Sequence, residues 1–193
     1  MTHTNFLQYY DLEGYLFRVV SIRYAQNKTL SAFDFFCIVI WKANRAKSKV
    51  ADRLLAHGNG QANLEAAVGI LLSAISKAKD QKAQLSVLIE TWGFRLPMAS
   101  AILSVLYPED FTVYDIRVCD VLGDFKDAQY KINFTTLWER YSAYVAAVRT
   151  AVPEHSSLRD KDRFLWGKSF ATQLQNDIQS SFNRENSDSE FEA

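Results

Sequence analysis

Turn-forming and cross-linking residues are scarce in this chain: three prolines, seven glycines and two cysteines among 193 residues. That scarcity excludes collagen-like, proline-rich and low-complexity chains. Cys37 and Cys119 lie in apolar runs far apart in sequence. Two thiols supply neither a four-cysteine zinc or iron–sulfur site nor the disulfide framework of a small secreted domain. No run approaches the roughly 18 apolar residues of a membrane span. The opening, MTHTNFLQYYDLEG, carries an acid early and no basic stretch ahead of an apolar one, so it does not read as a signal peptide. A surplus of one charge sign is missing too, since Lys+Arg and Asp+Glu both number 22. Any attraction to a polyanion must therefore come from a local patch. What is present, 48% hydrophobic and 23% charged residues, suits one globular unit, or two small helical lobes sharing a core. The expectation is an intracellular, cytoplasmic protein without membrane association.

The pattern reads helical nearly throughout. Residues 5–24 place Phe6, Tyr9, Tyr10, Leu16, Phe17 and Val20 at loosely helical spacings, with Gly14 weakening the middle. Ser31 is placed to cap a helix whose apolar block, 32–41, continues into Lys42–Ala56 with no turn residue. HGNG, 57–60, is the clearest loop. Leu64, Val68, Leu71, Leu72 and Ile75 then form an amphipathic stripe over 62–79. Further helices are predicted over 82–91, 97–107, 116–122, 135–151 and 157–182, the last with Ser157 and Asp160 as a capping pair. Pro97, Pro108 and Pro153 sit at element boundaries. Only FTVY, 111–114, has strong β character, and four residues make no sheet. The class is all-α, with residues 1–182 as one unit and 183–193 as an acidic tail expected to be disordered.

Residues 85–122, LSVLIETWGFRLPMASAILSVLYPEDFTVYDIRVCDVL, carry the most information. They read as a helix, a tight Gly-containing turn, a second helix, a Pro-punctuated loop, and an Asp opening a third helix. Gly93 provides the turn's backbone freedom. Pro97, near the start of the next helix, gives up an amide that has no helical partner there. The free amides around Phe94–Met98 are expected to face outward at the positive end of a helix dipole, a ready phosphate site. Ala99 and Ser100 are small enough for close helix packing.

This stretch resembles the helix-hairpin-helix segment and catalytic loop of the HhH-GPD superfamily of base-excision DNA glycosylases. Thr91-Trp92-Gly93-Phe94-Arg95-Leu96-Pro97-Met98-Ala99 falls on the family hairpin, L-P-G-V-G-x-K-x-A. Tyr114-Asp115-Ile116-Arg117-Val118 falls on its x-D-x-x-V, with Asp115 eighteen positions after Pro97, in register with the family. Upstream, Ile40–Lys47 is similar to the family's I-L-S-Q-Q-T-S helix beside the base pocket. Downstream, Leu158–Trp166 resembles the closing helix of the branch related to 8-oxoguanine enzymes. The resemblance touches most of residues 33–170, with its hairpin at 85–107 and catalytic loop at 108–118. Two positions depart from the family. Arg95 replaces the second hairpin glycine. Pro97 replaces the lysine whose amine attacks C1′ in family members that also cleave the strand.

The resemblance implies a monofunctional DNA glycosylase, acting as a monomer on double-stranded DNA without metal or organic cofactor. It would flip a modified base out of the duplex and hydrolyse its N-glycosidic bond, leaving an abasic site. The base would be an oxidised purine, for repair by base excision, or a hypermodified base of phage DNA, for antiviral defence. Asp115 would be the catalytic carboxylate, stabilising positive charge on the sugar; Asp is equally a good N-cap, and the two roles coexist. Gly93, Phe94 and Arg95 would grip phosphate. Lys42, Arg45, Lys49 and Arg53 line one face if their segment is helical, and would either hold the duplex backbone or form a solvated surface. Trp41, Trp92, Tyr114 and Trp166 are candidate stacking walls, or core. Asn44 is a candidate hydrogen-bonding group, or a structural amide. Lys42 and Lys49 are amines to which a strand-cleaving step could be assigned, though nothing in the sequence points to either. His3, His57 and His155 lack metal-ligand partners at useful spacing. Two other classes compete: a non-catalytic helix-hairpin-helix DNA-binding module, and a helical protein–protein scaffold.

Overall fold

The computed structural model describes residues 6–57, 63–152 and 157–182. Gly58–Gly60 of the loop, Pro153, His3, His155 and the tail 183–193 lie outside them. The described residues are helical and contain no strand, and none of their helices is long and apolar enough to cross a membrane. After a 3₁₀ turn, Phe6–Tyr9, Asp11 caps α1 (Leu12–Tyr15), its carboxylate accepting the Gly14 amide at 2.9 Å. The register then widens into a π-helical stretch, Leu16–Val20, before α2 (Ser21–Asn27).

Ser31 caps α3 (Ala32–Ala43) as its position predicts, accepting the Asp34 amide at 3.1 Å. The expected continuation to residue 56 does not occur. The backbone leaves helical geometry at Ala43 (φ −160°, ψ 89°), passes through a 3₁₀ turn, Asn44–Ala46, and restarts as α4 (Lys47–His57). Neither Gly nor Pro marks the break. It lets α3 lie against α7 while α4 turns onto α5. α5 (Leu64–Lys77) buries Val68, Leu71, Leu72 and Ile75 of the predicted stripe, and Asn63 caps it. α6 (Gln81–Ser86) runs through a second π-helical stretch, Val87–Thr91, into the turn at Gly93 (φ 65°).

The helix after that turn, α7 (Leu96–Leu106), is the centre of the molecule. Every residue of it except Pro97 is buried, the pattern of a helix surrounded by others. Residues 111–114 then run extended through the interior and deliver Asp115 to α8 (Ile116–Leu122). α9 (Phe134–Ala151) covers that segment, and α10 (Leu158–Gln179) packs across α8 and α9. Ser157 and Asp160 form the expected cap, with the Asp160 amide donating to Ser157 Oγ at 3.0 Å.

A buried extended segment has no neighbouring strand to satisfy its peptide groups, so side chains must do so. Tyr141 Oη donates to the Thr112 carbonyl at 2.7 Å and Tyr144 Oη to the Val113 carbonyl at 2.8 Å. The Tyr114 amide donates to Ser100 Oγ on α7 at 2.9 Å. Thr112 Oγ1 is the one fully buried side-chain polar atom among the described residues without a partner. Ser100→Ala is therefore expected to destabilise the fold by about 1–3 kcal/mol, by orphaning a buried amide. Thr112→Val, which removes an already orphaned hydroxyl, should be neutral or stabilising. Urea unfolding of the two variants checks both signs.

Candidate functional site

Asp115 ends the extended segment and opens α8. Its Oδ1 accepts the Arg117 amide at 3.1 Å, the bond of an N-cap. That leaves Oδ2 for Lys42, whose Nζ lies 2.8 Å away. Lys42 occupies the last turn of α3, and its Nζ also approaches the Tyr114 carbonyl oxygen at 3.5 Å. The Lys42 and Asp115 side chains are 17% and 25% exposed, so the pair lies within a recess rather than on a flank.

The recess is a cleft of about 500 Å³, floored by Val113, Lys42 and Asp115 and walled by Trp41 and by one face of α10. Arg159, Asp162, Arg163 and Trp166 project from that face, at the three- and four-residue steps that align side chains on a helix. Glu13 of α1 closes the ring: its Oε1 accepts from Arg159 Nη2 at 2.9 Å and pairs with Arg163 Nε at 3.2 Å. Arg159 also pairs with Asp162, and its guanidinium lies over the rings of Phe17 and Trp41, 5.1 and 5.0 Å from their centroids. The outer wall is Trp166, stacked on Phe170 with centroids 5.7 Å apart and Arg117 over both rings.

Asp162 is the buried acid of the site, 2% exposed. Burial raises its carboxyl from the ordinary aspartate range to about 6, with the nearby Asp115 adding to that push, while Arg159 and Lys42 oppose it. The cleft thus brings together three carboxyl groups in different surroundings, one amine, two guanidinium groups and two indoles. Among the described residues no group of three or more His, Cys, Asp or Glu side chains is placed to hold a metal ion. Both cysteines are buried free thiols, pushed up to about 11 by that burial.

Of the residues singled out in the sequence, Asp115, Lys42, Trp41 and Trp166 meet in this cleft. Tyr114 does not. Its ring is fully buried and its hydroxyl donates to the Phe125 carbonyl at 2.7 Å. Its neighbours Val113 and Asp115 line the cleft, whereas Tyr114 packs into the core. Trp92 is also a core residue, its ring 5.6 Å from that of His57. Asn44 is exposed and accepts from Lys47 Nζ at 3.0 Å, outside the cleft lining.

The basic stripe is interrupted. The break at Ala43 turns Lys42 into the cleft, leaving Arg45, Lys49 and Arg53 apart from it. Arg53 stands at the hairpin, its guanidinium 5.6 Å from the centroid of the Phe94 ring, and a Cβ on Gly93 would meet its Nη1 at 3.0 Å. The Phe94 ring itself is buried, so only its backbone borders the turn. The expected row of outward amides is shorter than predicted. The Phe94 amide donates to the Leu88 carbonyl at 2.8 Å, and that of Met98 to the Arg95 carbonyl at 3.1 Å. Arg95 remains exposed beside Gly93.

Glu13, Val113, Arg159, Asp162 and Arg163 were not singled out in the sequence. The α10 trio is legible afterwards as positions 159, 162 and 163 preceding Trp166 on one helical face. Nothing near Glu13 signals its role, because it arrives from a separate element. Compared with known proteins, the chain matches no family model, no curated protein and no solved structure.

The raised Asp162 carboxyl has a consequence for stability. The folded state holds the proton more tightly than the unfolded chain does. The stability this group contributes is complete below the ordinary aspartate range and is lost as pH rises through about 6. Between about pH 4 and pH 7 the urea midpoint of the wild type is expected to fall more steeply than that of Asp162→Asn. Parallel profiles would show that the site does not hold this proton.

Proposed function

We propose that the chain is a DNA glycosylase with a helix-hairpin-helix fold, two small helical lobes meeting at the cleft. The base it removes from the duplex is an oxidised purine or a hypermodified base of phage DNA, and hydrolysis of the N-glycosidic bond leaves an abasic site. One observation carries the reading. The carboxylate eighteen positions after the hairpin proline stands in a cleft of about 500 Å³ that two indoles, Trp41 and Trp166, help to line. Such a recess suits a flat, extruded base, which is recognised by stacking and by hydrogen bonds to its edge.

In this reading Asp115 sits under C1′ and stabilises the positive charge that develops on the sugar as the base departs. Trp41 and Trp166 flank the base, and Asp162 with Arg159 offers acceptors and donors to its edge. The hairpin turn at Gly93–Arg95, with Arg53 beside it, holds a phosphate, and Lys49 extends the contact along the duplex. A non-catalytic DNA-binding module is the second reading. It is favoured by the engagement of both Asp115 oxygens, one by the Arg117 amide and the other by Lys42.

Base release decides between them. On duplexes carrying oxidised, alkylated, deaminated or glucosylated bases, alkali should reveal abasic sites with the wild type. Asp115→Asn should lower that release by about 100-fold or more while still binding DNA. A silent wild type that binds every duplex would favour the module. Replacing Lys49 and Arg53 together by Ala should reduce the slope of log affinity against log salt by about 2, since each phosphate contact contributes close to one unit. An unchanged slope would return both side chains to solvent.

A further inference from the structure

The cleft holds one amine. Its other cations, Arg159 and Arg163, are guanidinium groups tied to Glu13 and, for Arg159, Asp162. A guanidinium keeps its proton and does not add to a carbonyl. Lys42 is different in kind. Its Nζ has two acceptors, Asp115 Oδ2 at 2.8 Å and the Tyr114 carbonyl at 3.5 Å, which leaves its third N–H direction open. The amine and the Asp115 carboxylate, 2.8 Å apart, line the same cleft.

Resting on the glycosylase reading, we propose that Lys42 captures the abasic sugar, so that the protein cleaves the strand as well as releasing the base. The abasic sugar opens to an aldehyde at C1′. The Lys42 ammonium passes a proton to Asp115 Oδ2, and the freed lone pair forms the bond to C1′. Asp115 returns the proton to the resulting hydroxyl, which leaves as water, giving a protonated imine. The carboxylate then takes a proton from C2′. The C2′–H electron pair becomes the new double bond, and the C3′–O bond breaks with its electrons leaving on the phosphate. Water finally hydrolyses the imine and restores the Lys42 amine. No oxidant, reductant or metal takes part. The amine comes from the end of α3, not from the hairpin, where the chain has Pro97. The break at Ala43, directly after Lys42, separates its path from that of the exposed basic residues on α4.

The test uses a duplex with a single abasic site prepared beforehand, so it does not depend on which base the protein releases. With sodium borohydride present, the wild type should form a covalent adduct that peptide mapping places on Lys42. Without borohydride it should nick the strand. Lys42→Arg keeps a cation beside Asp115 and should bind the same duplex, retain the wild-type urea midpoint, and lower the adduct by about 100-fold or more. An adduct mapped to another lysine, an undiminished adduct in Lys42→Arg, or a bound abasic duplex that yields no adduct overturns the assignment of Lys42. Absence of any binding to the duplex overturns the glycosylase reading itself, and this inference with it.

Discussion

An extended segment buried among helices is the constraint on which the rest of the structure depends. Residues 111–114 cross the interior with no strand beside them. Each unpaired peptide group there would cost about 1–3 kcal/mol. The chain meets the demand with Ser100 of α7 and with Tyr141 and Tyr144, one helical step apart on α9. These bonds set the depth and rotation of the segment. Val113 and Asp115 line the cleft while Tyr114 packs in the core. The position of Asp115 is thus set by hydrogen bonds made one to three residues earlier.

The second determinant is the crossing of α10 over α8. α10 buries Leu158, Asp162 and Leu165 and leaves most of its remaining surface in solvent. A buried carboxyl on such a helix is unfavourable unless paired, and Arg159, one turn away, supplies the partner. Glu13 then holds Arg159 from α1, so two elements distant in sequence share one charged network. The network aligns the Arg159 guanidinium over Trp41, while Lys42 forms its ion pair with Asp115. Asp34, buried in the first turn of α3, follows the same logic, with Tyr15 Oη donating at 2.6 Å and Arg23 completing the pair.

Much of this architecture is legible along the chain. Ser31, Asp115 and Ser157 each cap the helix their position announces, because an N-cap is a local bond between residues two or three apart. The apolar stripe of α5 and the run of apolar and small residues in α7 show which of them is amphipathic and which is central. The break after Ala43 is not legible, since it is made by packing α3 and α4 on different neighbours and not by a turn residue. That single break turned an expected stripe of four cations into a cleft lysine and a separate surface group.

The class of fold, the helix starts, the Gly93 turn and the spacing from Pro97 to Asp115 all follow from the order of residues, because each depends on neighbours a few positions apart. Which side chains meet was settled only in three dimensions. Lys42 and Asp115 are 73 positions apart, and Glu13 and Arg159 are 146. Contacts at those separations depend on how helices cross, and the crossing is chosen by burial of whole faces instead of by any local pattern. Trp41 and Trp166 became walls, while Trp92 and Tyr114 became core, for the same reason: an aromatic ring is equally at home against protein or against a ligand, and only the surrounding packing decides which it meets.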